Sequence, residues 1–202
     1  MPKIVDHDAR REEIAQALWR IVRRDGIPAV SVRTVAAEAG SSPGAVRYYF
    51  PDQAGLLSFA MELVSRRVTE RVSAVEPSGP PSSWAMQYLE EVIPLDEERR
   101  VEFDVWLAFV AQASAHNEAS TLLREHLTPV HESLRGLCAS VLTGMAEAGA
   151  LREGLDLDAE ADRLHALIDG LSLHAATQHT RATPARVRAI LKSHLAELTS
   201  QP

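Results

Sequence analysis

Apolar residues recur along this chain at intervals of three and four, and alternation with a period of two is almost absent. That pattern predicts an all-α protein of about nine helices. Ile14, Ala17, Leu18, Ile21 and Val22 form one stripe, which predicts a helix over about Asp8–Asp25 ended by Gly26. Val32, Val35, Ala36 and Ala39 follow Ser31, a good N-cap, and Gly40 stops that second helix. Ser42 and Pro43 then start a short third helix, anchored by Val46 and Phe50 four residues apart. A fourth stripe, Leu56, Leu57, Ala60, Leu63, Val64 and Val68, begins after Asp52 as cap and extends to about Ala74. Beyond the turn-rich connector at 76–82, helices are expected at about 83–93, 97–115, 118–147, 159–178 and 185–199. Pro129 should kink or divide the longest of these, Asp158 should cap the penultimate one, and Thr183-Pro184 should open the last.

Helix, tight turn and short second helix over residues 31–50 make a helix-turn-helix, a unit whose second helix enters the DNA major groove. The run Gly40-Ser41-Ser42-Pro43-Gly44-Ala45-Val46-Arg47-Tyr48-Tyr49-Phe50 resembles the TetR family of transcriptional repressors. Gly40, Ser42, Gly44, Val46, Tyr49 and Phe50 match that family's motif. Arg47 stands where it usually has Tyr, and Gln53 where it usually has Lys, as in a BetI-like sub-group. The resemblance implies a homodimeric repressor released from a palindromic double-stranded DNA operator by a small-molecule effector. Control by a protein partner, with no small-molecule inducer, is the alternative.

Three segments follow: 1–50 as the DNA-binding head, 51–75 as a connecting helix, and 76–202 as an effector-binding and dimerisation body. For DNA contact the candidates are Ser42, Pro43, Gly44, Arg47 and Tyr48 on the recognition helix. Arg can bridge guanine O6 and N7, Tyr and Ser suit phosphate, and Gly44 lets the backbone approach the duplex. Arg33 and Thr34 sit where the family grips the backbone. Gln53 offers an amide and helix-end N–H groups to a phosphate.

Charge sharpens this division. The 202 residues carry a net charge of −7, which argues against indiscriminate coating of nucleic acid. Residues 1–75 hold 11 Lys/Arg against 9 Asp/Glu, whereas 76–202 hold 10 against 19. A mildly basic head on an acidic body suits a DNA reader. The start of the chain has no leader-like pattern and no run is long enough to span a membrane, so the expectation is cytoplasmic.

Within the body, Phe103, Trp106 and Phe109 recur at helical spacing. Such a stripe is commonly plain core, yet an effector cavity needs the same apolar lining with a few polar groups. Gln112, His131, His165 and Asp169 fall beside these faces and are candidates for those groups. The last two helices carry apolar faces at Leu164, Ile168 and Leu171 and at Val187, Leu191 and Leu195. Periodicity leaves open whether these meet the same chain or a second copy; the BetI-like resemblance favours a dimer seam. No catalytic residues and no cofactor are expected: nucleophile-elbow, phosphate-loop and dinucleotide motifs are absent from the sequence. No metal is expected either. Cys138 is the single cysteine, and the pairs 126/131 and 174/179 are spaced by five, not by the three or four that share a helical face.

Overall fold

The computed structural model describes residues 7–114 and 118–199, with the side chains of 8, 118–123, 125 and 126 left aside. These residues form α1 (His7–Asp25), a 3-10 turn (Ile27–Ala29), α2 (Val32–Glu38), α3 (Pro43–Tyr49), α4 (Gln53–Ser73), α5 (Pro81–Glu90), α6 (Glu97–Ala113), α7 (Glu118–Glu147), α8 (Leu157–Thr177) and α9 (Pro184–Leu198). The predicted all-α class and the nine α-helices hold among the described residues. One isolated antiparallel bridge, Leu151 to Thr199, ties the loop after α7 to the end of α9. Among the described residues, no helix is long and apolar enough to cross a membrane.

Local rules place most boundaries. Gly26 takes φ 78° and ψ 170° at the end of α1, a backbone region open essentially to glycine alone. The Asp52 carboxylate accepts from Gly55 N–H at 2.8 Å, and the Thr183 hydroxyl accepts from Arg186 N–H at 3.3 Å, as expected of caps. One boundary differs from expectation. The cap of α8 is Asp156, which accepts from the N–H groups of Asp158 and Ala159, each at 3.2 Å. Asp158 lies in the first turn instead, where its carboxylate binds Arg135. Of the two outcomes expected at Pro129, a kink or a division, division does not occur: α7 runs past it, and the Pro129 carbonyl accepts from the Ser133 hydroxyl at 2.7 Å.

The chain divides into two compact units, Met1–Arg66 with Asp104–Leu127, and Arg67–Phe103 with Thr128–Pro202. All three divisions therefore fall inside helices: α4, α6 and α7 each supply residues to both units. In the first unit α1 packs on α2 and α2 on α3. Ile14, Leu18, Ile21, Val35, Val46, Phe50 and Leu56 are all buried there, each such large side chain contributing roughly 1.5–3 kcal/mol. In the second unit Leu89, Ile93, Leu142, Met145, Leu164 and Ile168 centre a core shared by α5, α7, α8 and α9. Gly144 permits close approach of α5 to α7, since a Cβ there would come within 3.0 Å of the Trp84 ring.

That second core contains the residues expected at a dimer seam. Leu164, Ile168, Leu171, Val187, Leu191 and Leu195 are between 0 and 5% exposed within the single chain, so they seal its own interior. The physical reason is that α9 packs directly on both α5 and α8, which consumes the two apolar faces. What α8 and α9 leave outward includes Leu173, 44% exposed, and the half-buried Leu167 and Ile190.

Candidate functional site

The head is organised by a dense set of local hydrogen bonds. Ser31 and Thr34 form a reciprocal capping box: Thr34 N–H donates to the Ser31 hydroxyl at 3.1 Å, and Ser31 N–H to the Thr34 hydroxyl at 2.9 Å. Gly40, at φ 59°, turns the chain, and Ser41 N–H reaches back to the Ala36 carbonyl at 2.8 Å. Ser42 then caps α3, its hydroxyl accepting from Ala45 N–H at 3.1 Å, with Pro43 at the first helical position. Val46 is fully buried and Phe50 nearly so, the latter packed on Phe59 with ring centroids 4.7 Å apart. The Arg11 guanidinium lies over both rings, at 5.6 and 5.1 Å. Arg20 and Arg24 of α1 both bind Glu38 of α2, which holds that carboxyl below its ordinary range.

With Val46 and Phe50 turned inward, the opposite face of α3 presents Pro43, Gly44, Arg47 and Tyr48, all exposed. Tyr48 is 75% exposed and packs edge-on against Tyr49 at 5.1 Å. Gly44 is informative because the fold does not demand it. Its φ is not positive, and an added Cβ would meet only the Ser42 hydroxyl, at 3.9 Å. Arg33 on α2 and Gln53 at the start of α4 are also exposed.

Two of the expected DNA-contact residues also bond within the head. The Thr34 hydroxyl donates to the Ala29 carbonyl at 2.7 Å while accepting from Ser31, so its single proton is committed inside the head. The Gln53 amide donates to the Val30 carbonyl at 3.2 Å, which ties the start of α4 to the turn before α2. One contact that sequence reasoning missed is His7, whose Nδ1 lies 3.0 Å from the Tyr49 hydroxyl. Forty-two residues separate the pair, and no local pattern announces it.

In the second unit, α4 ends in an ion-pair network. Arg71 binds both oxygens of the buried Glu102, at 2.8 and 2.6 Å, and donates to the Glu91 carbonyl at 3.2 Å. Arg99 joins through the Glu91 carboxylate at 2.7 Å. The bidentate bond to Glu102 raises the Arg71 pKa against the opposing cost of burial.

Of the expected effector residues, Phe103, Trp106, Phe109 and Gln112 lie along α6, where Phe109 is fully buried and the other three are half-buried. Phe103 belongs to the second unit and the other three to the first. His131 of α7 and His165 and Asp169 of α8 come together, with imidazole centroids 4.3 Å apart. Burial lowers the His165 pKa and raises that of Asp169. Cys138, two turns along α7 from His131, is buried, and burial pushes its thiol up to about 12, so it stays protonated and inert. A surface groove of about 860 Å³ opens elsewhere in this unit, lined by Met86, Gln87, Glu90, Arg188 and Lys192 among others. None of the expected effector residues lines it.

A buried-anchor helix-turn-helix with an exposed polar second helix, joined to a helical body, defines a DNA-binding transcriptional regulator. Residues 14–59 match the bacterial regulatory proteins of the tetR family, and residues 81–200 match the BetI-type transcriptional repressor C-terminal domain. The chain belongs to the TetR family, in its BetI-type branch. It is 36% identical over 196 residues to the HTH-type transcriptional regulator PksA of Bacillus subtilis (strain 168), covering 96% of this chain and 92% of that one. It is 31% identical over 183 residues to BetI of Burkholderia mallei (strain NCTC 10229), covering 87% and 86%. A transcriptional regulator from Rhodococcus sp. Rha1 superposes with a TM-score of 0.78 at 28% identity, covering 95% of this chain and 98% of that one. A regulator from Saccharomonospora viridis, solved in complex with choline, shares the fold with a TM-score of 0.75 at 23% identity over 96% and 99%. These relatives are regulators of transcription, a class without enzymatic function.

Proposed function

We propose that this TetR-family repressor acts as a homodimer on a palindromic operator and is released by a small-molecule effector. The observation that carries DNA reading is the outward face of α3, where Arg47 and Tyr48 stand one turn on from a glycine that packing does not require. Arg47 is the base reader, suited to guanine O6 and N7, while Ser42, Tyr48 and Arg33 hold phosphates. Thr34 supports them by fixing α2, and Gln53 places the start of α4. Two heads related by a twofold axis would address half-sites about 34–36 Å apart.

The dimer surface lies on the outward side of α8 and α9, around Leu173, Leu167 and Ile190 rather than on the sealed leucine seam. An effector held within the second unit, beside the His131–His165–Asp169 group, would favour a conformer that cannot match the operator. By linkage, DNA would weaken that effector by the same factor. The choline complex of a protein with this fold supports an organic effector in such a body. Such a repressor works in the cytoplasm, where its operator is.

The test is selection of bound duplexes from a random library, followed by fluorescence anisotropy on the winner and on scrambled DNA at two salt concentrations. Specific binding at roughly 10⁻⁸ M or tighter with a steep salt slope is expected. Arg47→Ala should keep the fold and lose discrimination between the two duplexes. Unchanged discrimination would remove Arg47 as the base reader, and a flat salt response would refute the binding mode.

A further inference from the structure

The geometry points to a divalent-metal site formed by His131 of α7 with His165 and Asp169 of α8, suited to zinc with one position open to water or an exogenous ligand. Each residue offers one ligand atom, and the three atoms lie within 4.8 Å of one another. Bonds of about 2.0–2.1 Å in a tetrahedral site place ligand atoms about 3.3 Å apart, so small side-chain rotations close the set. The His165 Nε2 to Asp169 Oδ2 distance, 3.6 Å, is already near that value.

A direct histidine–carboxylate hydrogen bond does not account for this arrangement. At 3.6 Å the contact is too long to be one, and His165 Nε2 is buried with no hydrogen-bond partner. His165 is only 5% exposed, so that orphaned nitrogen sits inside the cluster, where a lone pair costs free energy unless something binds it. Asp169 stands one helical turn from His165, the spacing that puts two ligands on one face. His131, supplied by the facing helix, is exposed and gives an ion its way in.

Charge and donor type agree. Two neutral imidazoles and one carboxylate make a net −1 set, and imidazole with carboxylate suits zinc among divalent ions. The neighbouring cation is engaged elsewhere: Arg135, one turn along α7 from His131, binds Asp158 at 2.5 Å and Asp162 at 2.7 Å. A bound ion would pin α7 to α8. This site rests on the three side chains alone and stands whether or not DNA release by an organic effector is correct.

The experiment is titration of chelator-treated full-length protein with Co²⁺, read by visible d–d absorption, then displacement by Zn²⁺. The expected result is a low-coordinate cobalt spectrum saturating at one ion per chain, abolished by Zn²⁺, with a metal-dependent rise in melting temperature. His131→Ala alters an exposed residue and should melt like the parent without metal, yet bind Co²⁺ at least about tenfold more weakly. Asp169→Asn should do the same, and it serves as the reading if His131→Ala fails to fold. No cobalt spectrum, or one that both variants retain at parental affinity, would overturn the site.

Discussion

Gly40 and Gly44 lie four residues apart in the helix-turn-helix, and the structure gives them opposite roles. Gly40 has φ +59°, and a Cβ there would meet nothing within 4 Å, so the whole cost of Gly40→Ala is backbone strain. That strain is roughly 1–2 kcal/mol, offset by about 0.4–1 kcal/mol of lost freedom in the unfolded chain, leaving a net loss near 1 kcal/mol. For a chain of this size the melting temperature should fall by about 2–4 °C. Gly44 occupies the second position of α3 without positive φ, and its nearest prospective contact, at 3.9 Å, is ordinary. Gly44→Ala should therefore leave the melting temperature equal or slightly higher, since alanine is favoured over glycine in a helix by roughly 0.5–1 kcal/mol. Its effect should appear on DNA instead. A methyl group forced between α3 and the duplex costs about 1–3 kcal/mol, by analogy with overpacking of a fitted interior. That is roughly a fivefold to 150-fold rise in Kd. Circular dichroism melts of both variants, with anisotropy on the selected operator at fixed salt, separate the two roles. A Gly44→Ala protein that binds DNA as tightly as the parent would refute close backbone approach. One that melts well below it would show that the fold needs this glycine after all.

Two further outcomes follow from packing and charge. Glu102→Ala should destabilise the protein by about 2–3 kcal/mol, below the roughly 3–5 of a wholly buried pair, because Arg71 keeps 26% side-chain exposure and a second carboxylate at 3.4 Å. Thermal or urea denaturation measures it, and a change under about 0.5 kcal/mol would dismiss the network as a surface feature. Leu191→Asp places a charge where the side chain is 1% exposed, so cooperative folding should be lost, whereas Leu173→Asp should fold and sediment as a monomer. A well-folded monomer from Leu191→Asp would restore the leucine seam as the subunit interface.

Much of the head was written in local chemistry. Ser31, Ser42, Asp52 and Thr183 cap helices in the structure as their types and neighbours predict, Pro43 and Pro184 occupy first turns, and Gly40 turns the chain. These features depend on backbone groups within four residues, so sequence order alone carries them. The exposed face of α3 follows as well, since burying Val46 and Phe50 leaves Arg47 and Tyr48 outside. What tertiary structure decided is partnership. Periodicity marked the apolar faces of α8 and α9 but carried no information on what covers them; within the chain α9 packs on both α5 and α8. His165 and Asp169 stand one turn apart on α8, while His131, 34 positions upstream of His165 in the sequence, joins them only because α7 runs beside α8. Arg71 and Glu102, 31 residues apart, meet for the same reason. Caps and turns are short-range and legible in order; cores, ion-pair networks and clusters such as His131–His165–Asp169 are long-range and exist only once helices are placed.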